Sequence, residues 1–80
     1  MQAEDLKSKR LDMGLSQADF ADAIGVSRVL LGQMERGQAP IEKRTAMAAT
    51  HHWIMECKSD AARAERRRLF AKLHEQLAED

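Results

Sequence analysis

Residues 28 to 36 read Arg-Val-Leu-Leu-Gly-Gln-Met-Glu-Arg. Wound at about 100° per residue, this stretch sorts into two faces. Ser27, Leu30, Leu31 and Met34 fall together on one; Arg28, Val29, Gly32, Gln33 and Arg36 fall on the other. The second face carries no acid, whereas a solvated helix face ordinarily mixes both signs. Its side chains match what DNA base edges present. A guanidinium forks onto guanine, a glutamine amide pairs with adenine, and a valine touches the methyl of thymine. A glycine at position 32 lets the backbone come close to a duplex.

A second group of chemistry-bearing residues lies at His51, His52, Glu56 and Cys57. His52 and Glu56 are one helical turn apart, and so are Trp53 and Cys57. The order is not His-Glu-x-x-His and no fourth ligand is near, so no metal is expected. The histidines read as the edge of a helix whose apolar stripe is Met47, Thr50, Trp53, Ile54 and Cys57. Cys57 is the single cysteine. It can form no internal disulfide and no multi-cysteine zinc site, and no activating motif stands beside it. Paired carboxylates, a nucleophile triad and a phosphate loop are absent from the sequence. An enzyme is not expected, nor a cofactor or small-molecule ligand.

The face at 28–36 needs a scaffold. Eighty residues allow one domain. Thirteen basic side chains balance thirteen acidic ones, which excludes a polybasic tail acting by bulk charge. With 44% apolar and 32% charged residues the composition is globular rather than disordered. Alanine, leucine, glutamate, lysine and arginine dominate, which favours helices. The start, Met-Gln-Ala-Glu-Asp, has no apolar run of the signal-peptide kind. No stretch approaches the ~18 apolar residues of a membrane span. A lone cysteine suits a reducing compartment, so a cytoplasm is expected.

Helix boundaries are marked by capping residues and glycines. Ser16, three residues before Asp19, and Ser27, just after Gly25-Val26, are helix starts. Gly14, Gly25 and Gly37 each follow a helical stretch, where a left-handed residue ends a helix at low steric cost. Pro40 stands just ahead of Glu42-Lys43-Arg44, where a proline opens a helix. Ser59-Asp60 starts the last segment. The spacing predicts five helices, at about 3–13, 17–24, 28–36, 42–57 and 60–78. Phe20, Ala21 and Ile24 form an apolar stripe on the second that faces Leu31 and Met34 of the third. Two short helices sharing a core across a glycine turn form a helix-turn-helix candidate.

Leu15-Ser16-Gln17-Ala18-Asp19-Phe20-Ala21, Ile24-Gly25-Val26-Ser27-Arg28 and Met34-Glu35-Arg36-Gly37 resemble the phage repressor/Cro-type helix-turn-helix, the XRE family. The likeness runs without gaps from about Leu6 to Gly37 and more loosely to about Ala49, over half of the chain. It implies an all-α, five-helix, lambda-repressor-like fold. Residues 1–57 would be the DNA-binding unit, and 58–80 an extended last helix within the same domain. The resemblance places helix 28–36 in the major groove. Arg28, Val29, Gly32 and Gln33 would meet bases. Ser16, Gln17, Ser27, Arg36, Gln38, Lys43 and Arg44 would meet phosphates. Arg10 and Glu35 occupy the positions of a pair that clamps the scaffold. Gly32 replaces the polar residue usual at its position, and nothing after about Ala49 carries the family pattern.

Three uses compete for the last helix: packing on the core, a dimer seam, or a basic arm on DNA. The favoured one is a homodimer seam of Trp53, Leu69, Phe70, Leu73 and Leu77, with Arg63, Arg66, Arg67, Arg68 and Lys72 mostly on the other sides of the helix. The partner is then double-stranded DNA carrying an inverted-repeat operator. Net neutrality does not oppose this, because affinity rests on local phosphate neutralisation. The simplest activity is autorepression by promoter occlusion, in a short phage, restriction-modification or anti-CRISPR operon. The rival reading is an antitoxin or interaction adaptor that keeps the fold without DNA.

Overall fold

Three helices of this chain begin at a serine hydroxyl, and three stop at a glycine of left-handed backbone. A computed structural model describes residues 1–78, with side chains to residue 76. The described residues form five helices and no strand: α1 (Ala3–Asp12), α2 (Gln17–Ile24), α3 (Arg28–Glu35), α4 (Lys43–Glu56) and α5 (Asp60–Ala78). The chain is all-α, and each bound lies within one residue of the sequence-based expectation.

Ser16 Oγ accepts from the Asp19 N–H at 3.1 Å, and Ser27 Oγ accepts from the Leu30 N–H at 3.1 Å. Ser59 Oγ opens α5 by accepting from the Ala62 N–H at 3.2 Å. Each such cap contributes about 1 kcal/mol. Pro40 does not open α4. It stays in the preceding loop, and the helix begins at Lys43 behind a Glu42 whose side chain makes no cap.

The turn between α2 and α3 depends on Gly25, at φ 77° and ψ 31°. A side chain there would crowd the following carbonyl. The Val26 N–H donates to Ala21 O at 3.0 Å and the Gly25 N–H to Asp22 O at 3.3 Å, the bond pair that stops a helix and swings the chain away. Gly37 repeats the arrangement after α3.

Four helices supply the core. Leu6 of α1, Phe20, Ala21 and Ile24 of α2, Leu31 and Met34 of α3, and Ala49 of α4 are all buried in one cluster. Each large member contributes roughly 1.5–3 kcal/mol by leaving water. Two residues assigned inward by periodicity are outside. Leu30 is 38% exposed, because α3 buries only the strip between Leu31 and Met34 and Leu30 lies beyond its edge. Met47 is 62% exposed, because Ala49 is the α4 residue that faces the core and Met47 stands about 200° round from it.

A second, smaller junction joins α1, α4 and α5. Cys57 and Ala62 are buried there. The Trp53 indole N–H donates to Asp12 Oδ2 at 2.8 Å, and Lys9 Nζ stands 4.9 Å from the centroid of the same ring. The Cys57 thiol lies 3.4 Å from Ser59 Oγ and 3.5 Å from Asp12 Oδ2. Arg66 Nη2 donates to Cys57 O at 3.0 Å, placing a cation at the negative end of α4. Arg66 therefore turns inward. Trp53, expected in a dimer seam, is held within its own chain by Asp12 and Lys9.

Beyond this junction α5 runs free. Every residue from Arg67 to Gln76 is exposed, and the molecule reaches 45 Å along its long axis. Leu69, Phe70 and Leu73 are about half exposed. Leu77 lies on the same helix, and its side chain falls outside the described residues.

Candidate nucleic-acid interface

The angle of α3 is set from below by apolar burial and from one end by charge. Leu31 and Met34 press its underside into the core. At its C-terminal end Glu35 receives three N–H groups. Arg10 Nε donates to Oε2 at 2.7 Å, Arg10 Nη2 donates to Oε1 at 3.1 Å, and Gln17 Nε2 donates to Oε1 at 3.2 Å. Arg10 Nη1 spends its remaining reach on Leu15 O at 3.0 Å. A two-pronged guanidinium–carboxylate pair is strong and directional. This one ties α1, the start of α2 and the end of α3 together.

Glu35 is the only acid between Arg28 and Arg36, and Arg10 matches its charge. The outer side of α3 is thereby left with unopposed positive charge. Arg28 and Arg36 are exposed, Gln33 is half-buried, and Val29 is 70% exposed. An aliphatic side chain so open contributes little to the fold. Leu30 joins Val29 as a second exposed aliphatic residue on this helix.

Gly32 is not open to a duplex. It is buried, and the Arg36 guanidinium lies across it. The backbone approach expected at this glycine is closed off in this arrangement by the residue one turn later. Arg36 is in turn held by Gln38, whose Oε1 accepts from Arg36 Nε at 3.1 Å. The sequence reading missed both roles. The signal was the i, i+4 spacing of a glycine and an arginine, with a glutamine two residues on.

Gln17 is likewise engaged, with one amide N–H on Glu35, and it sits beside Arg28, Val29, Gly32 and Arg36 around a shallow concavity. Ser16 and Ser27 accept backbone N–H groups as caps, and each hydroxyl keeps its own hydrogen to donate. Lys43 and Arg44 are exposed in the first turn of α4. Among the described residues no three His, Cys, Asp or Glu side chains converge as a metal would need, and no helix is long and apolar enough to cross a membrane.

A family model described as a helix-turn-helix matches residues 6–49. The chain belongs to that family, the Cro/repressor-type helix-turn-helix proteins. The match spans α1 to the middle of α4, and so includes the whole core that orients α3. Neither curated proteins nor solved structures gave a match. Membership identifies the helix-turn-helix chain as a DNA-binding transcription regulator in general terms, of a family that is typically not enzymatic. α2 and α3 are the two helices of the helix-turn-helix itself, and both lie inside the matched residues.

Proposed function

We propose that two copies of this chain bind an inverted-repeat operator, each laying α3 into the major groove, and repress transcription by covering a promoter. The observation that carries this reading is the contrast between the two sides of α3. Leu31 and Met34 are sealed below while an acid-free ridge of Arg28, Val29, Gln33 and Arg36 stands above. Arg28 suits guanine, Gln33 adenine and Val29 a thymine methyl. Ser16, Gln17 and Ser27 at the helix starts, with Gln38, Lys43 and Arg44 beside α3, supply phosphate contacts. Donors of this kind fix register on the duplex without reading sequence.

The two-fold partner is a second copy joined through α5, where Leu69, Phe70 and Leu73 form an apolar strip on a projecting helix. Two recognition helices then meet successive major grooves about 34 Å apart. In the simplest scheme occupancy follows protein concentration alone. That behaviour suits an autorepressor of a short operon of the phage, restriction-modification or anti-CRISPR kind.

The test is selection of bound duplexes from a random pool. Two equivalent half-sites in inverted orientation, centred about one helical turn apart, are the expected result. Recovery of no common sequence would contradict sequence-specific binding and favour a protein-interaction role.

A further inference from the structure

Arg36 caps α3, yet its charge is not delivered at the end of the helix. Long helical side chains lean back toward the N-terminus. Arg36 does so over a full turn, and its Nη1 lies 3.1 Å from where a Cβ on Gly32 would stand. The Gln38 amide oxygen accepts from Nε at 3.1 Å and steadies the fork from the other side. At about 100° per residue, Arg28, Gly32 and Arg36 lie within about 80° of one another around the helix. The same three residues, with Val29 and Gln17, wall one shallow concavity on the outer surface. The guanidinium therefore occupies the mid-helix place that a side chain at position 32 would have taken.

We propose that Arg36 is a specificity-determining base reader seated by Gly32, rather than the phosphate contact its place at the helix end implies. The inference rests on the reading of α3 as the recognition helix. With Nε committed to Gln38, the two Nη groups remain as donors. Paired N–H groups from a planar guanidinium match O6 and N7 of guanine in a fixed fork, whereas a lysine ammonium is a flexible point charge that holds that edge less strictly. Gly32 acts as a positioning residue, because a Cβ there would stand 3.1 Å from Arg36 Nη1 and the fork would have to give way by a few tenths of an ångström. Gln38 is the second positioning residue. This assignment also accounts for a glycine in the middle of a helix, which otherwise only weakens it.

The experiment compares wild-type, Arg36→Lys, Arg36→Ala and Gly32→Ala proteins by selection from a random duplex pool, followed by affinity measurements on single-base variants of the wild-type site. Arg36→Lys keeps the charge, so a phosphate role survives it. The expected result is that Arg36→Lys and Arg36→Ala both lose roughly 5- to 150-fold of discrimination at one guanine-bearing pair in each half-site, with other positions unchanged. Gly32→Ala loses discrimination at that same pair, by a smaller factor, in a protein with raised helix propensity. Arg36→Lys retaining full discrimination, Arg36→Ala weakening all sequences alike, or Gly32→Ala leaving that pair unaffected would overturn the proposal while leaving α3 as recognition helix. A wild-type protein that selects no sequence would overturn both.

Discussion

Trp53 and Asp12 are 41 positions apart in sequence and joined by an indole-to-carboxylate hydrogen bond of 2.8 Å. The bond fastens the end of α1 to the last turn of α4. The indole N–H above all, then the Ser59 hydroxyl, hold the Asp12 carboxyl below the ordinary carboxylate range; desolvation opposes them, and the Cys57 thiol adds the smallest lowering effect. A carboxyl lowered in the fold stabilises it fully above the ordinary value, and that contribution is lost as pH falls through the folded value. Urea unfolding at a series of acidic pH values should therefore show a shallower loss of stability in Asp12→Asn and in Trp53→Phe than in the wild type. Superimposable acid limbs would contradict the link.

The Arg10–Glu35 pair makes a separate prediction. The two side chains are only 11% and 3% exposed, so removing one strands the other away from water. Arg10→Met is expected to cost about 3–5 kcal/mol in urea unfolding, and the double variant Arg10→Met/Glu35→Leu less than Arg10→Met alone. A loss under about 1 kcal/mol for Arg10→Met would show that the pair behaves like an exposed ion pair.

Much of this architecture is legible in the sequence because its punctuation is local. Ser16, Ser27 and Ser59 cap within three residues of themselves, and Gly25 and Gly37 end helices by bonds that reach back five, so chain order alone locates the starts of α2, α3 and α5 and the ends of α2 and α3. What the sequence does not disclose depends on neighbours distant in the chain or on where a long side chain lies down. Periodicity puts Leu30 and Met47 on inward faces, but the width of the buried strip depends on how closely Phe20 and Ala49 let the helices approach. Trp53 reads as one more apolar stripe residue, and its use follows from Asp12 in another helix. Gly32 reads as an opening toward DNA because nothing in a helical projection shows Arg36 folding back over it. Gln17 reads as a free donor because its partner, Glu35, is 18 positions away.

Self-association through α5 is expected to depend on the strip formed by Leu69, Phe70 and Leu73. Sedimentation equilibrium should give a dimer for the wild type and a monomer for Leu69→Glu/Leu73→Glu. These positions are about half exposed in the single chain, so the helical circular dichroism below the strip should persist. A monomeric wild type at high micromolar concentration would remove the seam, and an unaffected dimer in the variant would move it elsewhere.

Base reading and phosphate anchoring separate in salt. Arg44→Ala should weaken binding to every duplex by a similar factor and reduce the slope of log affinity against log salt by about 1. Arg28→Ala should cost about 1–3 kcal/mol on the selected site and relax choice at one base pair. Equal losses on all sequences for both variants would contradict this division of roles between α3 and α4.

The position of α3 against DNA can be read most directly by methylation interference on the selected duplex. Methyl groups placed on guanine N7 project into the major groove, where Arg28 is taken to fork. Fragments methylated at one or two guanines in each half-site should be missing from the bound fraction, and Arg28→Ala should restore binding at one of them. Identical methylation patterns in bound and free fractions would mean that the ridge does not enter the major groove.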